Sequence, residues 1–142
     1  MAYLGCTGSL ILRQEDNDVD PETGLVLRTR DSSGAETVYT YDHLGRYLSI
    51  DPPGTDAPTF YRYFTATSSS PAKVVIETKN GSTILRDSEV IFDHLGRVGV
   101  EREKYATGTG ASAWAWAYRA HEYHPNNWKV SVSTMGPEGN GG

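Results

Sequence analysis

The sequence predicts an all-β protein: an antiparallel strip of successive β-hairpins, forming a curved open sheet or part of a β-shell. Three observations carry this expectation. Apolar and aromatic residues alternate over about ten short runs, and no window holds a sustained helical stripe. Turn-forming clusters separate the runs at regular spacing, as in "DSSG", "SSSP", "KNGS", "TGTG" and "HPNN". The pentapeptide DHLGR occurs twice, starting at Asp42 and at Asp93.

In chain order the expected strands are 10–14, 25–30, 36–41, 46–50, 59–66, 72–78, 83–92, 97–105, 112–123 and 128–134. Most are rich in β-branched and aromatic residues, which suit a pleated surface. The acidic stretch "DNDVDPETG" and the Pro-Gly stretch "DPPGTDAP" are expected to be turns. Asn80-Gly81 is the sharpest turn signal, since both residues tolerate the positive φ of a type I′ hairpin. Parallel crossovers would need helices, and the sequence offers none.

DHLGR itself is expected to be a hairpin end. Asp42 stands where a type I turn favours Asp, its carboxylate accepting from the backbone two residues on, and Gly45 stands where Gly is favoured. Asp93 and Gly96 repeat this. An aromatic residue precedes each Asp (Tyr41, Phe92) and an arginine follows each Gly (Arg46, Arg97), so each guanidinium is expected to lie along the aromatic ring facing it.

Composition bounds the rest. At 142 residues the chain is the size of one domain. Eighteen acidic against thirteen basic residues give a net charge of −5, with no electrostatic footprint for nucleic acid. A lone cysteine, Cys6, excludes an internal disulfide framework but leaves dimerisation through a thiol open. "MAYLGC" lacks the basic and apolar regions of a secretory signal, and no run approaches the roughly 18 apolar residues of a membrane helix, so membrane insertion is not expected.

The pattern in "GAETVYTYDHLGR", a strand ending Tyr-x-Tyr-Asp followed by two residues and Gly-Arg, resembles the YD repeat of the Rhs family, which includes Rhs polymorphic toxins, the C component of insecticidal toxin complexes, and teneurins. "NGSTILRDSEVIFDHLGR" is a looser second copy with Phe92 for the Tyr. "AYRAHEYHPNNWKV" is a degraded third, with Tyr123 for the Tyr, His124 for the Asp and Asn127 for the Gly. The copies fall near residues 34–50, 80–100 and 110–131. The resemblance implies a strip of hairpins that coils, in large members, into a hollow shell around a protein cargo. Residues 1–142 are then expected to be a single repeat module and a piece of, or subunit in, something larger, with the tail "MGPEGNGG" opening another turn. Such a piece is expected to associate with neighbouring repeats or with copies of itself through its sheet edges.

Several constellations invite chemistry. Asp42-His43 and Asp93-His94 could be acid–base dyads, but neighbours in a turn seldom aim at one substrate atom and no nucleophile accompanies them. His121 and His124, three residues apart, fall on opposite strand faces and lack the HExxH spacing of a zinc site. Asp16, Asp18, Asp20 and Glu22 resemble the start of a calcium loop, yet an EF-hand would need Gly and Glu where Pro21 and Leu27 stand; calcium at an irregular loop is the one cofactor the sequence leaves open. Asp51-Pro52-Pro53-Gly54 partly resembles the aspartyl self-cleavage signature of Rhs proteins, with Thr55 in place of its Leu and more repeat-like sequence after it.

"SAWAWAYRA" places Trp114, Trp116 and Tyr118 on one face and three alanines on the other. Such a row either packs against a neighbour or stacks on a ligand, with Tyr61 and Tyr63 as a second contribution. The expected function is therefore a non-catalytic structural or interaction module of a secreted or surface shell, filament or adhesion assembly. The alternatives are a carbohydrate- or ligand-binding module using the aromatic face, and a self-processing fragment of an Rhs-like toxin.

Overall fold

Among the described residues ten strands pair in the order in which they occur along the chain, and an eleventh returns to pair with the ninth. The computed structural model describes residues 15–107, 113–126 and 128–137. The strands are β1 (Glu15–Val19), β2 (Val26–Asp31), β3 (Glu36–Tyr41), β4 (Tyr47–Asp51), β5 (Thr59–Phe64), β6 (Lys73–Asn80), β7 (Thr83–Phe92), β8 (Val98–Ala106), β9 (Trp114–Tyr123), β10 (Lys129–Val132) and β11 (Gly136–Pro137). They form one antiparallel open sheet running from β1 to β10, with β11 on the same edge of β9 as β10, further along. The all-β, hairpin-by-hairpin architecture expected from alternation is therefore the architecture present. The expected strand 10–14 and Cys6 lie outside the described residues.

Two strands carried no sequence signal. β1, read as part of an acidic turn, is poor in β-formers; it is held by its pairing with β2, where Asp16 faces Arg30 and Asp18 faces Arg28. β11 is Gly-Pro, and its pairing with Ala117 and Tyr118 depends only on where β9 presents its edge. The β6–β7 turn also differs from expectation. Its loop is Gly81-Ser82 between the paired Asn80 and Thr83, with Gly81 at φ 59° at the first turn position, one residue later than Asn80-Gly81.

The sheet is one layer deep. Among the described residues Val75, at 5% exposure, is the one buried hydrophobe, and the other buried side chains are carboxylates: Glu77, Asp87 and Glu89. Register separates the two faces. Arg62, Val75, Glu89, Arg102 and Tyr118 lie in one cross-strand row, and Phe60, Glu77 and Asp87 in the next, on what we term the charged face. Tyr39, Ile50, Tyr61, Tyr63, Val74, Ile76 and Val90 occupy the opposite, tyrosine face. Small register breaks recur beside the hairpins, leaving Leu27, Leu48, Leu85 and Val130 unpaired in the ladder and exposed.

Candidate functional site

Both DHLGR segments build the same object. Asp42 N donates to Arg46 O (2.8 Å) and Gly45 N to Asp42 O (3.0 Å), closing a tight loop with Gly45 at φ 76°. Asp42 Oδ1 accepts from Leu44 N (2.9 Å) and Arg46 N (3.0 Å), while Oδ2 accepts from Arg46 Nε (2.7 Å). The second copy reproduces every bond: Asp93 N to Arg97 O (2.8 Å), Gly96 N to Asp93 O (3.0 Å), Leu95 N and Arg97 N to Asp93 Oδ1 (both 2.9 Å), and Arg97 Nε to Oδ2 (2.7 Å). Each carboxylate thus serves the turn's own backbone and its own arginine, an arrangement that makes shape, with His43 and His94 at the loop tips.

The arginines do not lie where the flanking-residue argument put them. Strand pairing sets Tyr47 opposite Tyr41 and Val98 opposite Phe92, so neither guanidinium faces the ring before its Asp. Instead Arg46 stacks over Tyr63 (4.1 Å to the ring centroid) and Arg97 over Tyr123 (4.3 Å), tyrosines of a later strand. The Tyr63 hydroxyl then donates to Tyr47 O (2.9 Å) and that of Tyr123 to Val98 O (2.8 Å), the carbonyl just after the arginine in both copies. A turn is thereby clamped by a strand two hairpin steps away or less. Carboxylate, guanidinium, ring and hydroxyl form one closed unit.

The third, degraded copy keeps the backbone and changes the chemistry. His124 N donates to Trp128 O (2.9 Å), and His124 Nδ1 accepts from Asn126 N (3.1 Å) as the Asp oxygen does from Leu44 and Leu95. Trp128 stacks on the imidazole with centroids 4.9 Å apart where the others hold an Asp–Arg pair. Asn127 lies outside the described residues. The same logic appears at Asp31, whose Oδ1 accepts from Ser33 N (2.8 Å) and Ala35 N (3.0 Å), and at Asp20, which accepts from Glu22 N (3.0 Å) and Thr23 Oγ1 (2.8 Å).

Protonation follows these bonds. The backbone N–H of Arg46 is foremost in holding the Asp42 carboxyl down at about 2. Partial burial pushes Asp93 up, but Arg97 and the turn amides outweigh it and its pKa is lowered. Burial drives the Tyr41 hydroxyl, which donates to Val26 O (2.7 Å), up to about 12.

The two aromatic groups do not converge. Trp114, Trp116 and Tyr118 belong to the charged face, and Tyr61 and Tyr63 to the tyrosine face, so no single ligand can span them. Nor is Trp116 an open platform: Arg102 and Lys104 lie over its ring at 4.6 and 5.0 Å. Tyr61 packs against Tyr47, which also meets Tyr39 and Tyr41, and Tyr63 is taken by Arg46. Trp114 is the exposed member of its row and borders a shallow pocket of about 200 Å³ with Ile84, Leu85 and Lys104.

The calcium candidates are likewise separated. Asp16 and Asp18 face arginines across the β1–β2 ladder, Asp20 caps its own turn, and Glu22 is exposed. Among the described residues no three His, Cys, Asp or Glu side chains converge. His121 is paired with Glu101 (3.1 Å) on β8, whereas His124 sits in the turn stack. Asp51 pairs with Val38 at the end of β4, and Gly54, at φ 77°, turns the chain towards β5.

The sequence analysis missed the densest polar site of the sheet. Glu89 accepts from Arg102 (2.6 and 2.8 Å) and Lys73 (3.1 Å); Asp87 pairs with Lys104; Glu77 lies between Arg62 (3.0 Å) and Lys79 (2.8 Å). Aromatic rings flank the cations, Phe64 beneath Lys73 (5.3 Å) and Phe60 beneath Lys79 (5.7 Å). Burial raises the Glu89 carboxyl, but Arg102 and Lys73 bring it net below its ordinary value. The hint in the sequence was charge at alternate positions, Lys73, Glu77 and Lys79 around Val75, Asp87 and Glu89, and Arg102 and Lys104, which reveals pairs only once register is known. No protein-family model matches this chain, and no curated protein sequence matches it.

Proposed function

We propose that the chain is a non-catalytic structural and interaction module of the YD-repeat type, a run of hairpins within a secreted or surface shell, filament or adhesion assembly. The observation that carries this is the twice-built unit of Asp, Arg and a later Tyr, in which both carboxylates of the candidate dyads are bonded into the turn. A turn clamped by the next strands is a device for stacking hairpins in series. A single-layer sheet with one buried hydrophobe among the described residues draws its stability from neighbours. Among the described residues β1 and β10 each pair on one side, and such edges are templates for further strands.

Light scattering after size exclusion, over a concentration series, tests this. An open-ended ladder of oligomers is expected, reduced by Val130→Lys with Val132→Lys on the exposed β10 edge. An edge variant that assembles as well as the parent would overturn the reading.

A further inference from the structure

One cross-strand row of the charged face brings a lysine and two carboxylates together between aromatic rings. Phe60, Glu77 and Asp87 face one another in turn over β5, β6 and β7, and Lys104 faces Trp116 over β8 and β9. The pairing of Ser88 with Glu103 sets Asp87 opposite Lys104, and Lys104 Nζ closes the row, 2.5 Å from Asp87 Oδ2. Glu77 and Asp87 are both buried. The Trp116 ring stands 5.0 Å from the Lys104 ammonium, and Ile84, Leu85 and Trp114 wall the shallow pocket that Asp87 and Lys104 border.

This pair differs from the one beside it. Glu89 accepts two bonds from Arg102 as well as one from Lys73, and a guanidinium, which never gives up its proton, fixes that carboxylate as an anion. Among the described residues Asp87 has Lys104 as its one ion-pair partner. On β6, Glu77 has Arg62 and Lys79 at 3.0 and 2.8 Å, yet its Oε2 is buried with no aligned hydrogen bond. An amine, a carboxyl carbon and a spare carboxylate oxygen thus share one row, each from a different strand.

We propose that Lys104 and Asp87 condense into an amide that ties β7 to β8, with Glu77 carrying the proton. An amine in contact with a carboxylate oxygen stands close to the roughly 3–3.5 Å from its carbon at which such atoms react. Condensation also removes a buried charge and its partner, whose desolvation is costly. First the ammonium passes one proton to the carboxylate across their hydrogen bond, leaving an amine and a carboxylic acid. Nζ then bonds to Cγ as the carbonyl electron pair moves to oxygen. Glu77 takes a proton from the nitrogen and delivers it to the departing hydroxyl; the C–O bond breaks, water leaves through the open pocket, and Glu77 is returned as it began. The balance needs nothing beyond the three side chains. It happens once per chain, as maturation instead of turnover. Until it condenses, the pair acts as an ordinary ion pair; afterwards positions 17 apart are closed into a covalent loop that fixes the β7–β8 register, on which the Glu89–Arg102 pair also depends. The bond lies within one copy and is independent of the repeat reading.

Intact mass spectrometry of the chain refolded from denaturant, sampled over days, reads this directly. The mass should fall by one water, with first-order kinetics independent of protein concentration, and a protease digest should hold a branched peptide joining the segment of Asp87 to that of Lys104. Lys104→Arg keeps a cation against Asp87 but has no amine to attack, so it should fold, by circular dichroism, and keep its full mass. Glu77→Gln keeps the shape and removes the proton carrier, and should condense at least about a hundredfold more slowly; Glu77→Asp should recover part of the rate. Full mass in the folded parent, water loss in Lys104→Arg, a branch at other residues, or a rate indifferent to Glu77→Gln would each overturn the proposal. A parent that condenses yet forms no open-ended series would count only against the edge reading.

Discussion

The hairpin ends and the middle of the sheet are both built from carboxylates and cations, yet they work over different distances. At a DHLGR end the Asp and its Arg are four residues apart, and the turn assembles itself from its own backbone. In the middle, Lys73 reaches Glu89 and Lys104 reaches Asp87 across 16 and 17 residues, and each pair exists only when the strands are in register. The ends can therefore tolerate a change of chemistry, as His124 and Trp128 show, while the middle has no local substitute. A carboxylate at a turn is also held by its own backbone amides. Glu89 and Asp87 depend on cations of other strands.

The largest effect is expected where that local support is missing. Lys104→Ala leaves the Asp87 carboxylate without its partner and should cost about 3 kcal/mol, the low end for breaking a buried pair because Lys104 itself is partly exposed; chemical denaturation would measure it. Next come Gly45→Ala and Gly96→Ala, each forcing a side chain into the left-handed region at φ 76° for about 1–2 kcal/mol. Equal costs at the two positions would show that the two copies are equivalent. Tyr63→Phe and Tyr123→Phe keep the ring under the guanidinium and remove only the hydroxyl donor, so each should cost about 1 kcal/mol.

Acid acts on both regions, Glu89 in the middle being lowered as the turn aspartates are. Asp42 is depressed in the folded protein from 3.8 to about 2, so its contribution is fully present above pH 3.8 and is lost as pH falls towards 2. Asp93 and Asp31 shift in the same direction. Amide exchange followed between pH 5 and pH 2 should show the Asp-based hairpin ends loosening over that window; ends unchanged at pH 2 would contradict the bonding described. The smallest expected difference lies between Arg46→Met and Arg97→Met. Both lose a cation over a ring, about 0.5–1 kcal/mol, with the larger loss at Arg97, whose side chain is 21% exposed against 42%.

Period-two alternation and turn chemistry are local properties, and they alone determined the all-β class, most strand positions and the hairpin ends: Asp42, Gly45, Asp93 and Gly96 act through bonds to residues at most four positions away. The tertiary structure decided everything that depends on which strand lies beside which. It moved Arg46 and Arg97 from their neighbours' rings to Tyr63 and Tyr123, put the two aromatic groups on opposite faces, and made a strand of the acidic segment at β1. The physical reason is register: a side chain's face and partner are set by cross-strand pairing, and a single skipped residue at a bulge re-aims the remainder of the strand.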